Sequence, residues 1–271
     1  MQDTVTRSDT WPAPGRSIAL VAFLFGVSGR PELTGSTLRA LLTDLGRSDD
    51  ASRALLSRMH RAGQLTAERH GRETTYRLAG SVARGFEYIR RQPTADPPAW
   101  DGWFHTVLYR VPEQSRWFRD GLRRTAVISG YGVLQPGVLV APRDYRDQLA
   151  AHLADKPEHT QILFGRLAMD SADAGRVIST AWHLDDVAES YNSHIGRLQR
   201  CLADKTPRKG PEELRLFAET VAPALSATLH EPSVPLELLP ADWPGPVLRQ
   251  LVTECTARFD ATVSRYVASR L

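Results

Sequence analysis

Cysteine is scarce in this chain, with Cys201 and Cys255 the two in 271 residues. They have no metal-ligand spacing and build no disulfide framework, so a reducing compartment, the cytoplasm, is expected, with both thiols buried rather than functional. Long apolar runs are missing too. The longest, Ile18 to Phe25, is too short to span a bilayer, and the polar residues and Arg16 ahead of it make no signal-peptide cleavage pattern. A buried first helix is expected there, after a mobile tail over residues 1–15. No catalytic constellation emerges either. His183 and His194 are too far apart for paired ligands on one helical turn, and Ser28-Gly29 and Ser129-Gly130-Tyr131-Gly132 lack the surroundings of a nucleophile elbow or phosphate loop. Neither metal, cofactor nor enzyme activity is expected.

What is present is an ordinary soluble composition, 42% hydrophobic and 24% charged, with room for two or three domains. Near the start, Leu38, Leu41, Leu42 and Leu45 recur at helical spacing behind Thr34 as a cap, and Gly46 ends the helix. Ser48 then stands where an N-cap belongs, Asp49 and Asp50 complement the helix dipole, and Ala51, Leu55, Met59 and Ala62 make a buried stripe up to Gly63. The other face presents Ser52, Arg53, Ser57 and His60, with Arg58 and Arg61 on its flanks. Strands over 65–70 and 74–78 follow, joined at a tip reading Arg69-His70-Gly71-Arg72.

Positive charge is concentrated here. Arg53, Arg58, Arg61, Arg69, Arg72, Arg77, Arg84, Arg90 and Arg91 face only Glu68, Glu73 and Glu87, while the whole chain is +3. Helix, turn, arginine-bearing helix and hairpin in that order predict a winged helix-turn-helix over residues 16–90, bound to a double-stranded DNA operator. Arg reads guanine edges in the major groove, and short polar donors fix phosphates. The expected contact set is Ser36, Ser52, Arg53, Ser57, Arg58, His60, Arg61, Arg69, His70 and Arg72.

A proline-bearing linker over 91–99 separates this head from residues 100–175, whose strand, helix, hairpin, helix and strand predict a ferredoxin-like domain. Residues 176–271 read as a helical domain, with a kink expected at Pro223. The segment from Glu231 to Pro246, rich in proline, is expected to wrap over the helices with Trp243 as its anchor. The fold class is α+β.

Three stretches resemble the PaaX-like repressors of phenylacetate catabolism. Gly35-Ser36-Thr37-Leu38-Arg39-Ala40-Leu41-Leu42, with Ser52-Arg53-Ala54-Leu55-Leu56-Ser57-Arg58-Met59, is similar to that family's first domain. Trp100-Asp101-Gly102-Trp103 and Gly130-Tyr131-Gly132-Val133-Leu134-Gln135-Pro136-Gly137-Val138 are similar to its middle domain. Glu231-Pro232-Ser233-Val234-Pro235-Leu236-Glu237-Leu238-Leu239-Pro240-Ala241-Asp242-Trp243 resembles its last. The resemblance implies a homodimeric repressor released by a small-molecule effector, an aromatic acyl-CoA. Tyr131, Trp182, Tyr191 and Trp243 would line its cleft, and Arg110, Arg123 and Arg124 would hold its phosphates. It also likens the middle domain to the small endonuclease of CRISPR adaptation, whose first strand ends in a metal-binding aspartate. Here Arg110 stands in that neighbourhood, and a guanidinium cannot ligate a cation. That counts against nuclease activity, and the domain is expected to serve packing and dimerisation; a metal-dependent phosphodiesterase is the alternative, together with a transcription factor that needs no effector.

Overall fold

The computed structural model describes residues 16–90, 99–228 and 234–271; the expected tail over 1–15 and nearly all of the linker lie outside them. The chain begins with α1 (Arg16–Ser28), a two-residue β1 (Leu33–Thr34), α2 (Gly35–Asp44) and α3 (Asp49–Arg61). The hairpin of β2 (Leu65–His70) and β3 (Glu73–Leu78) and then α4 (Gly80–Arg90) follow. Both caps form: the Thr34 hydroxyl accepts from the Thr37 amide and the Ser48 hydroxyl from the Ala51 amide, each at 3.2 Å. Leu38, Leu41 and Leu42 of α2 are fully buried against the rest of this segment. Each such burial contributes about 1.5–3 kcal/mol.

The inward stripe of α3 is rotated by one residue from expectation. Ser52, Leu55, Leu56 and Met59 are buried, whereas Ala51 is half-buried and Ala62 exposed. Ser52 is therefore a core residue and not part of the outward face. Its hydroxyl donates to the Ser48 carbonyl at 2.9 Å, which satisfies it inside the helix and makes burial tolerable.

The middle of the chain forms β4 (Trp103–Arg110), α5 (Arg116–Ser129), β5 (Gly132–Gln135), β6 (Val138–Ala141), α6 (Arg146–Leu153) and β7 (Gln161–Ala168). The sheet order is β5-β6-β4-β7 and every neighbouring pair is antiparallel. Phe118, Leu122, Ala126 and Leu149 from the two helices pack on Val107, Tyr131, Leu139 and Ala141 in one core. A further helix, α7 (Ser171–Trp182), lies within the stretch split between two domains in the sequence reading. Asp170 caps it, accepting from the Asp173 amide at 2.8 Å.

Against β5, α7 leaves no room for a side chain at Gly132. A Cβ there would stand 2.6 Å from Trp182 Cε3 and 2.8 Å from Ala181 Cβ. Gly132→Ala must therefore push α7 off the sheet, at a cost of about 1–3 kcal/mol for overpacking. Denaturant melts should show the midpoint falling; an unmoved midpoint would mean α7 is not seated as described.

The remaining helices are α8 (Leu184–Ala203), α9 (Pro211–Thr228) and α10 (Gly245–Ala268). Pro223 does not end α9, which continues to Thr228. Compact units cut across the segments expected from sequence. Residues 99–189 with 234–243 form one; 16–90, 190–228 and 244–271 form the other. Two features explain the division. Phe23 of α1 meets Phe217 of α9 edge-on at 5.1 Å, and Phe217 stacks on Phe259 of α10 at 5.1 Å. The described part of the proline-rich segment belongs with the sheet, not with the C-terminal helices: Val234, Leu238 and Trp243 are buried, the Leu238 carbonyl lies against Gly175 of α7, and Glu237 accepts from the Trp100 amide.

Cys201 and Cys255 are both buried, and burial pushes the Cys255 thiol up to about 11. Among the described residues no helix is long and apolar enough to cross a membrane.

Candidate nucleic-acid interface

The exposed face of α3 carries Arg53, Ser57, Arg58, His60 and Arg61. Asp49 opens the helix, where a negative charge suits the positive end of the dipole. It holds Arg53 one turn on at 2.6 Å and Arg39 of α2 at 3.4 Å, gathering two guanidinium groups at one spot. The Arg53 side chain is 61% exposed. Exposed pairs of this kind contribute less than about 1 kcal/mol, so a phosphate or guanine edge can replace Asp49 at little cost. Arg58 and Arg61 have no ion-pair partner among the described residues. His60 is turned back, its Nδ1 donating to the Leu65 carbonyl at 3.1 Å, which orients the ring and ties α3 to β2.

The hairpin is a close partner to that helix. His70 pairs with Glu73 across a two-residue turn, Gly71-Arg72, and Gly71 takes a φ of 63°, a region that suits a residue without Cβ. Arg69 braces the tip by donating from Nε to the Gly71 carbonyl at 3.2 Å. His70 lies 3.5 Å from Glu68 and Arg77 is engaged by Glu32 at 2.5 Å, so neither is as available as Arg72.

Between α2, α3 and the hairpin lies an open cavity of about 320 Å³. Ser36, Arg39, Arg53, Arg72, Glu73 and Tyr76 line it. Three arginines from three elements thus face one space, and the N-terminus of α2 opens on it. Ser36 donates its hydroxyl to Glu73, which fixes the carboxylate beside the arginines. Gly35 lets α2 begin close to the hairpin, since a Cβ there would stand 3.3 Å from the Tyr76 ring. The helix dipole and the guanidinium groups favour negative charge there, opposed in part by the carboxylate of Glu73. The structure brings Ser36, Arg53 and Arg72 together from the expected set. Arg39 and Tyr76 were missed. Arg39 has a legible signal, the acidic Asp49 that opens the next helix; Tyr76 has none outside the tertiary fold.

The residues expected to hold an effector differ in burial. Tyr131 is 2% exposed within the sheet core, edge-on to Tyr145, and Tyr191 is 1% exposed in the helical unit, its hydroxyl 3.5 Å from the Ala227 carbonyl. Trp182 fills the space over Gly132, and Trp243 is 8% exposed beside the short helical turn at Leu236–Leu238. Arg123 is half-buried near Tyr109, whose hydroxyl is pushed up by burial and partly drawn back by that charge. Arg110 and Arg124 are exposed. Among the described residues no group of His, Cys, Asp and Glu is arranged to hold a metal ion.

Three family models cover most of the chain. Residues 17–82 match "PaaX-like protein", residues 97–173 match "PaaX protein central Cas2-like domain", and residues 182–269 match "PaaX-like protein C-terminal domain". The transcriptional repressor PaaX of Escherichia coli (strain K12) is 25% identical over 286 aligned residues, covering 99% of this chain and 88% of that one. Among solved structures, uncharacterized protein Rv0674 from Mycobacterium tuberculosis superposes with a TM-score of 0.56 at 25% identity, covering 97% of this chain and 99% of that one. With its first, middle and last segments each matched in order, the chain belongs to the PaaX-like family.

Proposed function

We propose that this protein is a DNA-binding transcriptional repressor, non-catalytic and homodimeric, whose residues 16–90 form a winged helix-turn-helix. The order β1-α2-α3-β2-β3 with its three-stranded antiparallel sheet supports that assignment. The middle sheet, with its second, third, first and fourth strands side by side, supports the ferredoxin-like one. The observation that carries the function is the convergence of Arg39, Arg53 and Arg72 on one cavity beside the exposed arginines of α3. In this reading α3 enters the major groove, where Arg53, Arg58 and Arg61 meet base edges or flanking phosphates, and Arg69 and Arg72 contact the backbone. The name of the Escherichia coli relative agrees.

Selection of duplexes from a random library by the full chain tests the proposal. The expected product is a sequence of two related half-sites with centres about 10–10.5 bp, or a multiple, apart. Enrichment of no sequence would reject it. No specific observation favours a phosphodiesterase, because Arg110 ends β4 opposite Gln161 and supplies no ligand oxygen. An aromatic acyl-CoA effector rests on the resemblance alone. Tyr131 and Tyr191, being core residues, are not assigned to its site.

A further inference from the structure

Strand β7 ends the sheet, and among the described residues no strand pairs with its outer edge. All eight of its residues pair with β4 without a bulge, and its sequence, Gln161-Ile162-Leu163-Phe164-Gly165-Arg166-Leu167-Ala168, contains neither proline nor lysine. Its charge is already taken. Arg166 meets Asp101 at 3.0 Å and lies over the Trp103 ring at 4.8 Å. Solitary edge strands are ordinarily guarded by a proline, a bulge, a free lysine or shortness, and β7 has none of these devices. It also exposes large apolar side chains: Leu163 is 64% and Leu167 40% exposed, and Leu108, opposite Leu163 on β4, is 46% exposed. Alternation along a strand puts all three leucines on one face.

We propose that β7 is the surface through which two copies of this chain join, as antiparallel strands related by a two-fold axis at Gly165. The proposal rests on the homodimer of the preceding subsection and names its interface. The sequence of the strand is complementary to itself in that register. With Gly165 facing its own copy, Leu163 lies opposite the partner's Leu167 on one face, and Phe164 lies opposite the partner's Arg166 on the other. A shift of one residue would set Leu163 against Arg166; a shift by two would leave Leu167 facing Gln161. Gly165 itself brings no side chain to the axis, and the nearest atom to a Cβ there is Thr106 Oγ1 at 3.9 Å, so the centre is open. The two sheets then run on as one, and the leucines of both copies form a continuous apolar face.

Light scattering coupled to size-exclusion chromatography of the full chain tests this with two variants at exposed positions. Wild type is expected to run as a dimer. Leu163→Lys combined with Leu167→Lys places lysine against lysine at both crossings and should give a monomer with unchanged circular dichroism. Leu163→Lys combined with Leu167→Glu places lysine against glutamate only in the register centred on Gly165, and should restore the dimer. A dimeric wild type with an equally dimeric double-lysine variant would overturn β7 as the interface while leaving the homodimer standing. A monomeric wild type would overturn both. A Lys/Glu variant that stays monomeric would overturn the register and with it the proposal.

Discussion

Replacing Arg39, Arg53 and Arg72 together by alanine is expected to lower operator affinity by at least about a hundredfold, the sum of one base contact and two phosphate contacts. The three differ in role. Arg53 stands on the outward face of α3, so its loss alone should cost about 1–3 kcal/mol and relax preference at one base position if the contact is bidentate. Arg72 at the hairpin tip and Arg39 midway along α2 line the same cavity, where the proposal places a phosphate of the backbone. Each should weaken binding across all sequences and reduce the slope of log affinity against log salt by about 1. Arg53 and Arg72 are exposed, Arg39 is half-buried, and the pairs of Arg39 and Arg53 with Asp49 are partly exposed, so the fold should survive. Anisotropy titrations at several salt concentrations separate these effects. A triple variant with unchanged affinity and an unchanged salt slope would remove this cavity from the interface.

Most helices, the hairpin and the strands of the middle sheet were legible because each is written locally, whereas α4 and α7 were not expected. Thr34 and Ser48 stand where caps belong, the leucines of α2 recur at helical spacing, and Gly71 marks the tip of the hairpin. The failures share one cause, which is that tertiary neighbours decided the outcome. Hydropathy favours apolar Ala51 over Ser52 for the inward face, since Ser carries a hydroxyl that burial must satisfy. The side of α3 that meets α2 chose Ser52, whose hydroxyl could return to Ser48. Arg39 stands between the buried leucines of α2, and the ion pair it closes with Asp49 across the turn depends on how the two helices meet. Tyr131 and Tyr191 look like ligand-stacking residues in a list of aromatics, yet both are nearly free of solvent contact. The division into units is the least local feature of all. It depends on Phe23, Phe217 and Phe259, which lie far apart in the chain.

That last feature makes a strong prediction about residues remote from the interface. Phe259→Ala on α10 is expected to cost about 3–5 kcal/mol, the usual penalty for deleting a buried aromatic ring. Phe259 is 1% exposed and stacks on Phe217, which in turn meets Phe23 of α1. A second tie joins α9 and α10 to α2. The Tyr266 hydroxyl donates to Asp44 Oδ2 at 2.7 Å, and Arg215 of α9 donates to the Asp44 carbonyl at 2.9 Å. Asp44 is the last residue of α2, where a carboxylate opposes the helix dipole and needs such partners. If α1, α2, α9 and α10 melt as one cooperative unit, the lost ring stabilisation is shared by all of them. Amide hydrogen exchange should then accelerate in α2 and α3 as much as in α10, and operator binding should fail at a lower temperature although no contact residue has changed. Unaltered protection of α2 and α3, with loss confined to α10, would show instead that the amino-terminal helices fold independently of the carboxy-terminal ones.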